Sequence, residues 1–596
     1  MTVPEKINAL RRVMRSRGIY AYIVCTEDFH GSEYVGEHFM LREFLSGFTG
    51  SAGTLVVTME EAALWTDGRY FLQAAEQLEG SGIALMKSGV DGVPTMYKFL
   101  AEKMPEGSVL GFDGRTVRAN MARVLERELS TKKVSFSVED DLGGEVWKER
   151  PPLSAEPVYV LPEKYAGVSR SEKLKNIREK MSAAGADVLA VTALDEIAWT
   201  LNLRGNDVEY NPVFLAYMMI RSDGATLYAN RAIFSDEIAC ALAADGVEIL
   251  PYEDFYGDLS KLVGAVMYDP SEVNCLFVRS LSEGIKRVET RSPIMLMKAL
   301  KNPTETDSER TAHIRDGVAV TRFMYWLKHN VGRIKITEIS VAEKLEEFRR
   351  AGEGYLGQSF APIMAYGAHA AVVHYSATEK SNAELRAEGM LLSDTGGHYY
   401  DGTTDITRTY VLGKLTAEEK RGFTLVLAGH LNLAAAKFMY GCKGANLDYT
   451  AREPLWRYGM DFNHGTGHGV GYLLNVHEGP NRIAWRIRPT ASDCVLEEGM
   501  ITSDEPGLYV AGKFGIRHES LVLCRESERT EYGRFMEFET LTMVPFDPDG
   551  VDVSYLSDRE LERFNAYQKT VCEKIAPLLP QEESEWLREI TKPLSK

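Results

Sequence analysis

Five residues in the last third of this 596-residue chain could do chemistry together: Asp394, Asp405, His468, Glu505 and Glu519. Each lies in a short glycine-rich or strand-like string rather than on a charged face: Ser-Asp394-Thr-Gly-Gly, Asp401-Gly-Thr-Thr-Asp405, His464-Gly-Thr-Gly-His468-Gly-Val-Gly, Asp504-Glu505-Pro-Gly and Gly515-Ile-Arg-His-Glu519. Four carboxylates and one imidazole brought to one place would hold two hard divalent cations about 3.5–4 Å apart. That equipment belongs to metal-assisted hydrolysis.

Asp394 and Asp405 are eleven residues apart across an expected hairpin, so they can face each other on paired strands. Two adjacent aspartates repel, and one takes up a proton unless cations compensate them. Each aspartate alone would equally suit a turn. Two histidines at i, i+4, His464 and His468, suggest a zincin helix, but the adjoining glutamate is missing and glycines at 465, 467, 469 and 471 oppose a helix. The string is no dinucleotide fingerprint either, because position 470 is valine and no clear strand precedes it. The glycines are expected to let the backbone pass close to metals or substrate. Glu505 and Glu519 have apolar neighbours, where a glutamate is costly to bury unless paired or metal-bound. Taken singly, each also fits an outward-facing position on an alternating strand.

The elements that must position these groups are strands. The pattern predicts strands over 390–394, 404–412, 500–504 and 514–523, turns at Thr-Gly-Gly and Asp401-Gly402, and a helix opened by the capping box Thr416-Ala-Glu-Glu419. Four of the five candidate ligands then sit on or at the ends of strands, which hold ligands more rigidly than loops do. A long helix is expected from Glu305 to Asn330. Ten of the twelve histidines lie after residue 300, which concentrates the chemistry in this last region.

Upstream, residues 5–24 (EKINALRRVMRSRGIYAYIV) align without a gap to residues 172–191 (EKLKNIREKMSAAGADVLAV). Each reads as an amphipathic helix stopped by a glycine, Gly18 or Gly185, and followed by a buried strand. Tandem copies of one α/β domain follow. The proline-rich stretch Glu149-Arg-Pro-Pro-Leu-Ser-Ala-Glu-Pro157 separates them. The expected domains are 1–155, 156–298 and 299–596. A net charge of −18 argues against a nucleic-acid or anionic-membrane partner. Seven scattered cysteines without a C-x-x-C pair, no apolar leader and no run of 18 apolar residues indicate a soluble cytoplasmic protein.

The ordered set Asp, Asp, His, Glu, Glu in these contexts resembles the pita-bread metallopeptidase family, which includes methionine aminopeptidase, prolidase, aminopeptidase P and the non-metal creatinase. The strings Asp401-Gly-Thr-Thr-Asp-Ile-Thr-Arg-Thr409, His464-Gly-Thr-Gly-His-Gly-Val-Gly471 and Leu474-Asn-Val-His-Glu-Gly-Pro480 are most similar to its long, three-domain, cytosolic Xaa-Pro aminopeptidase (aminopeptidase P) branch. So are Ser46-Gly-Phe-Thr-Gly-Ser-Ala-Gly53 and Trp65-Thr-Asp-Gly-Arg-Tyr70. The resemblance runs from about residue 5 to residue 550. It implies two creatinase-type α/β domains followed by an α+β pita-bread catalytic domain. Asp394 would chelate one metal, Asp405 and Glu519 would bridge two, and His468 and Glu505 would complete the second. His374 (in Val372-Val-His-Tyr), His464 and His477 would surround the substrate, and Arg517 would steady the bridging carboxylates. Two histidines depart from the pattern, His398 between the aspartates and His518 beside Glu519; either could hydrogen-bond a ligand residue from behind or sit on the outer face, and the outer face is expected.

The implied reaction removes the first residue from peptides with proline at position two. The Xaa-Pro bond is a tertiary amide without an N–H, which defeats ordinary peptidases. Two metals would lower the pKa of shared water, Glu505 would take or shuttle a proton as general base, and His477 or His374 would hold the oxyanion or protonate the leaving nitrogen. The oxygen-rich ligand set suits Mn²⁺ best, with Co²⁺, Zn²⁺ and Mg²⁺ as alternatives. The resemblance also implies a homodimer. Three other readings share the fold: a prolidase acting on Xaa-Pro dipeptides, a methionine aminopeptidase, which is much shorter and lacks such N-terminal domains, and a metal-free binding module. The last predicts missing ligands and an acidic tail, whereas all five ligands are present.

Overall fold

The computed structural model describes residues 1–139, 141–486 and 494–596. The chain forms two units, one of Met1–Glu163 with Val168–Met295 and the other of Lys164–Gly167 with Leu296–Lys596. The first unit contains the expected tandem copies. One sheet runs in the order Ala84–Lys87, Ala62–Thr66, Thr54–Thr58, Ala21–Cys25, Val109–Gly111, Ser135–Ser137. The other runs Val247–Leu250, Ala225–Ala229, Ala216–Arg221, Val188–Val191, Ala265–Tyr268, Lys286–Glu289, an equivalent topology. The repeated opening is a helix, Val3–Ser16 or Arg170–Ala183, then a left-handed glycine, Gly18 (φ 67°) or Gly185 (φ 66°), then a fully buried strand. His30 lies in the core of this unit, with Nδ1 2.9 Å from the Thr192 carbonyl and Nε2 2.8 Å from the Tyr252 hydroxyl. Burial lowers its pKa, although the Asp28 carboxylate works the other way.

The second unit begins with the helix Pro303–Asn330, whose start carries a capping box between Asn302 and Glu305. Two sheets follow. In the first, the strand Met390–Thr395 lies between Ile363–Tyr366 and Ile406–Val411, antiparallel to both. The second has the order Lys437–Met439, Gly533–Thr540, Ser520–Thr530, Ile501–Asp504, Gly467–Gly469, Glu478–Ile483. The helix Ala417–Ala434 opens on the expected Thr416/Glu419 box and buries Phe423, Val426, Leu427 and Leu431. The predicted strand over 514–523 is two strands, Phe514–Arg517 and Ser520–Thr530, paired to different partners. The break falls at His518 and Glu519, so side-chain alternation is lost there and both residues are buried.

Candidate metal centre

The candidate ligands meet where the two sheets of the second unit adjoin. Asp394 sits near the end of the central strand of the first sheet, opposite Thr407. Asp405 immediately precedes the strand that begins at Ile406. The hairpin between them is not simple: its tip, Gly397–Tyr399 with Gly402–Thr403, joins Tyr355–Gln358 in a separate three-stranded sheet. His468 is the middle residue of Gly467–Gly469, Glu505 follows Ile501–Asp504, and Glu519 precedes Ser520–Thr530. The amide of Glu519 donates to the Thr407 carbonyl at 3.0 Å, and the Thr407 hydroxyl donates to Glu519 Oε2 at 2.7 Å. This pair of bonds sews the sheets together at the ligands.

Nε2 of His468 lies 3.5 Å from Asp405 Oδ2 and 3.5 Å from Glu505 Oε1. One ligand atom from each of Asp405, His468 and Glu519 falls within 4.8 Å of the others. Nδ1 of His468 is 3.0 Å from the Gly469 carbonyl, which fixes the tautomer and aims Nε2 at the carboxylates. Burial opposes the imidazolium, but Asp405 and Glu505 outweigh it and push the pKa of His468 up to about 9. Burial, together with the charges of Asp405, Asp394 and Glu505, holds the carboxyl of Glu519 well above the usual range. Burial also raises Glu505 and Asp394, against the pull of His468 and Arg517 respectively. Asp394 Oδ1 is buried without a hydrogen-bond partner. A crowd of carboxylates that resists ionisation, with one oxygen left over, is a donor set suited to hard divalent cations.

Arg517 is buried, and its guanidinium donates through Nη2 to Asp394 Oδ2 at 2.5 Å and through Nη1 to the Tyr509 hydroxyl at 2.6 Å. It therefore bonds the expected terminal ligand, not the expected bridging pair. Tyr509 also meets Nε2 of His464 at 2.8 Å, while His464 Nδ1 is 3.9 Å from Glu505 Oε2. The His477 ring stands edge-on to His468 at 4.3 Å. His374, half-buried, lies on a loop whose Val373 carbonyl is 3.5 Å from Arg517 Nη2. The three histidines expected around the substrate thus come from three separate segments. Tyr509, Thr407 and Ser503, whose hydroxyl lies 3.3 Å from Glu505 Oε1, escaped the sequence reading. Tyr509 lies on the strand Gly507–Val510, but nothing local announces a partner eight residues away.

Three expectations need correction. His518 is fully buried, edge-on to Phe423 (4.4 Å) and Phe546 (5.4 Å), because the strand break turns it inward. His398 is buried too, with Nδ1 3.0 Å from the Thr403 hydroxyl inside the separate small sheet. Gly467 and Gly469 serve neighbouring strands: a Cβ on Gly467 would lie 1.8 Å from the Ser503 carbonyl oxygen, and one on Gly469 2.1 Å from that of Glu478.

The chain matches family models across nearly its whole length: creatinase/prolidase N-terminal domain over 6–140 and again over 149–305, metallopeptidase family M24 over 307–526, and the C-terminal region of that peptidase over 534–594. It is 37% identical to Aminopeptidase P1 of Arabidopsis thaliana, over 99% of both chains. It is also 37% identical to Xaa-Pro aminopeptidase 1 of Dictyostelium discoideum, over 100% of this chain and 97% of that one. Among solved structures it is similar to X-prolyl aminopeptidase from Caenorhabditis elegans, described as a cytosolic enzyme with a di-nuclear active site. The TM-score is 0.94 at 35% identity, with both chains covered completely.

Proposed function

The chain belongs to metallopeptidase family M24, within its Xaa-Pro aminopeptidases, and we propose that its five motif residues carry that activity here. The enzyme is a metal-dependent aminopeptidase that hydrolyses the bond between an N-terminal residue and a following proline. The observation that supports the site assignment is the gathering of Asp394, Asp405, His468, Glu505 and Glu519 at the meeting of two sheets, with Asp405, His468 and Glu519 within ligand distance of one another.

In this reading Asp394, Asp405 and Glu519 would hold one cation, and His468 and Glu505, with Asp405 and Glu519 again, would hold the other. When bound, the pair would polarise the scissile carbonyl and lower the pKa of water. Glu505, less buried than the other carboxylates and close to His468 and Ser503, takes up the proton. His464 is fixed by Tyr509, so its ring presents a constant face to the substrate. His374 and His477 hold the developing oxyanion or protonate the proline nitrogen, which leaves only as an amine. Arg517 holds Asp394 and, through Tyr509, His464, and so links metal side to substrate side.

The oxygen-rich donor set favours Mn²⁺ over Co²⁺, Zn²⁺ or Mg²⁺. The domains in this reading are 1–155, 156–298 and 299–596. A homodimer is supported by an exposed aromatic surface on the second unit, where Trp456 is flanked by Tyr449 (5.9 Å) and Trp485 (6.0 Å). No helix among the described residues is long and apolar enough to cross a membrane. A cytoplasmic location is supported by the description of the nematode relative. Elemental analysis of the purified protein, with activity after metal removal and re-addition, tests the centre: two metals per chain and Mn²⁺-restored activity are expected, and full activity without metal would overturn it.

A further inference from the structure

The loop that carries His374 is held by one buried carboxylate. Glu338 opens the helix Glu338–Arg350, and its side chain has no exposed surface. Each of its oxygens takes two donors. Oε1 accepts from the Tyr366 amide at 2.9 Å and from Nδ1 of His369 at 2.8 Å. Oε2 accepts from the Tyr375 hydroxyl at 2.8 Å and from the Ala383 amide at 2.9 Å. Among the described residues, no Lys or Arg pairs with this carboxylate.

The four donors mark both ends and the middle of one loop. Tyr366 ends the strand Ile363–Tyr366, next to the Asp394 strand. Ala383 lies where the chain returns: its carbonyl accepts from the Glu338 amide at 3.0 Å, and Leu385 donates to Ile336 at 2.8 Å. Between them His369 stacks on Tyr375 at 4.6 Å, directly beside His374. The opposite side of the loop rests on the strand Phe514–Arg517 so closely that a Cβ on Gly515 would lie 1.8 Å from the Ala370 carbonyl oxygen. A buried carboxylate is tolerable when four donors satisfy it, and its loss would leave those donors buried and unpaired.

We propose that Glu338 is a positioning residue for peptide hydrolysis: it fixes residues 367–382 so that His374 meets the substrate in one orientation. The inference rests on the substrate role given to His374 above. Glu338 touches none of the five metal-ligand residues, so its influence runs through the loop.

The test uses the full-length metal-loaded enzyme in four forms: Glu338→Gln, Tyr375→Phe, His374→Ala and the Glu338→Gln/His374→Ala double variant. Glu338→Gln should speed amide hydrogen exchange across 367–382 and leave 390–411 and 501–523 unchanged, with metal content as in wild type. Its kcat should fall about tenfold or more with little change in KM. Tyr375→Phe, which keeps the charge and removes one donor, should show the same pattern more weakly; it carries the test if Glu338→Gln does not fold. The double variant should be no slower than His374→Ala alone, within about twofold. Unchanged exchange over the loop, loss of metal, or a kcat near wild type in a loosened loop would overturn the proposal. Full activity in His374→Ala would instead sink the role of His374, and the exchange data would still decide whether Glu338 holds the loop.

Discussion

Arg517 holds Asp394 from behind: its Nη2 bonds Oδ2, while Oδ1 of the same carboxylate has no hydrogen-bond partner. The guanidinium is planar, so it serves Asp394, Tyr509 and Thr407 at once. A lysine ammonium gathers its three donors on one nitrogen and lacks this spread, planar fork. Arg517→Lys should therefore weaken metal binding or kcat by about 10–100-fold. Metal titration and steady-state kinetics on the folded variant check it; wild-type values in both would show that the arginine only packs.

Asp405→Asn should abolish activity and lower metal content with the far-ultraviolet circular dichroism intact, because the cluster is local. Glu505→Gln should lower kcat by about 10²–10⁴-fold, since it loses both a charge and a proton acceptor. A Glu505→Gln enzyme within tenfold of wild type would return that residue to a structural role.

Specificity separates this enzyme from its dipeptide-cleaving relatives. With Mn²⁺ supplied, Arg-Pro-Pro should be cleaved faster than Arg-Pro, and Arg-Ala-Ala should be nearly inert. Preference for the dipeptide would indicate a prolidase. Rapid cleavage of Arg-Ala-Ala would remove the proline requirement.

The glycines around His468 should differ sharply in tolerance. At Gly465 an added Cβ meets nothing closer than 3.5 Å, whereas at Gly467 it would meet the Ser503 oxygen at 1.8 Å. Gly467→Ala should cost about 3 kcal/mol or more and loosen the strand that carries His468. Gly465→Ala should cost under about 1 kcal/mol. Equal melting temperatures for the two variants would contradict this.

The ligand strings, the capping box at Thr416, the long helix and the tandem opening were legible because each is written in a contiguous stretch of chain. What stayed hidden depends on partners far apart in sequence. Glu338 looks like any glutamate in a first helical turn until residues 366–383 return to it. Tyr509 gains its role only beside Arg517 and His464. His518 was misplaced because the predicted strand runs through a break there, and His398 because the hairpin tip forms a small sheet that nothing local announces.

The first unit should respond to acid through His30. Its two bonds, to the Thr192 carbonyl and the Tyr252 hydroxyl, satisfy the neutral ring, and burial lowers its pKa. The unfolded chain therefore binds a proton below about pH 6.5 that the folded chain does not. This contribution is fully present above that pH and is lost as pH falls, by at most about 1.4 kcal/mol per unit. His30→Gln should be less stable at pH 7.5 yet show a shallower decline to pH 5.5 in chemical denaturation. Parallel declines would remove His30 as the cause.

The bonds between Thr407 and Glu519 join residues 112 positions apart. During synthesis the chain carries Asp394 and Asp405 long before Glu519 exists, and domains generally fold as units once their residues have emerged. In the proposed centre, a growing polypeptide therefore lacks its full ligand set until Glu519 is made.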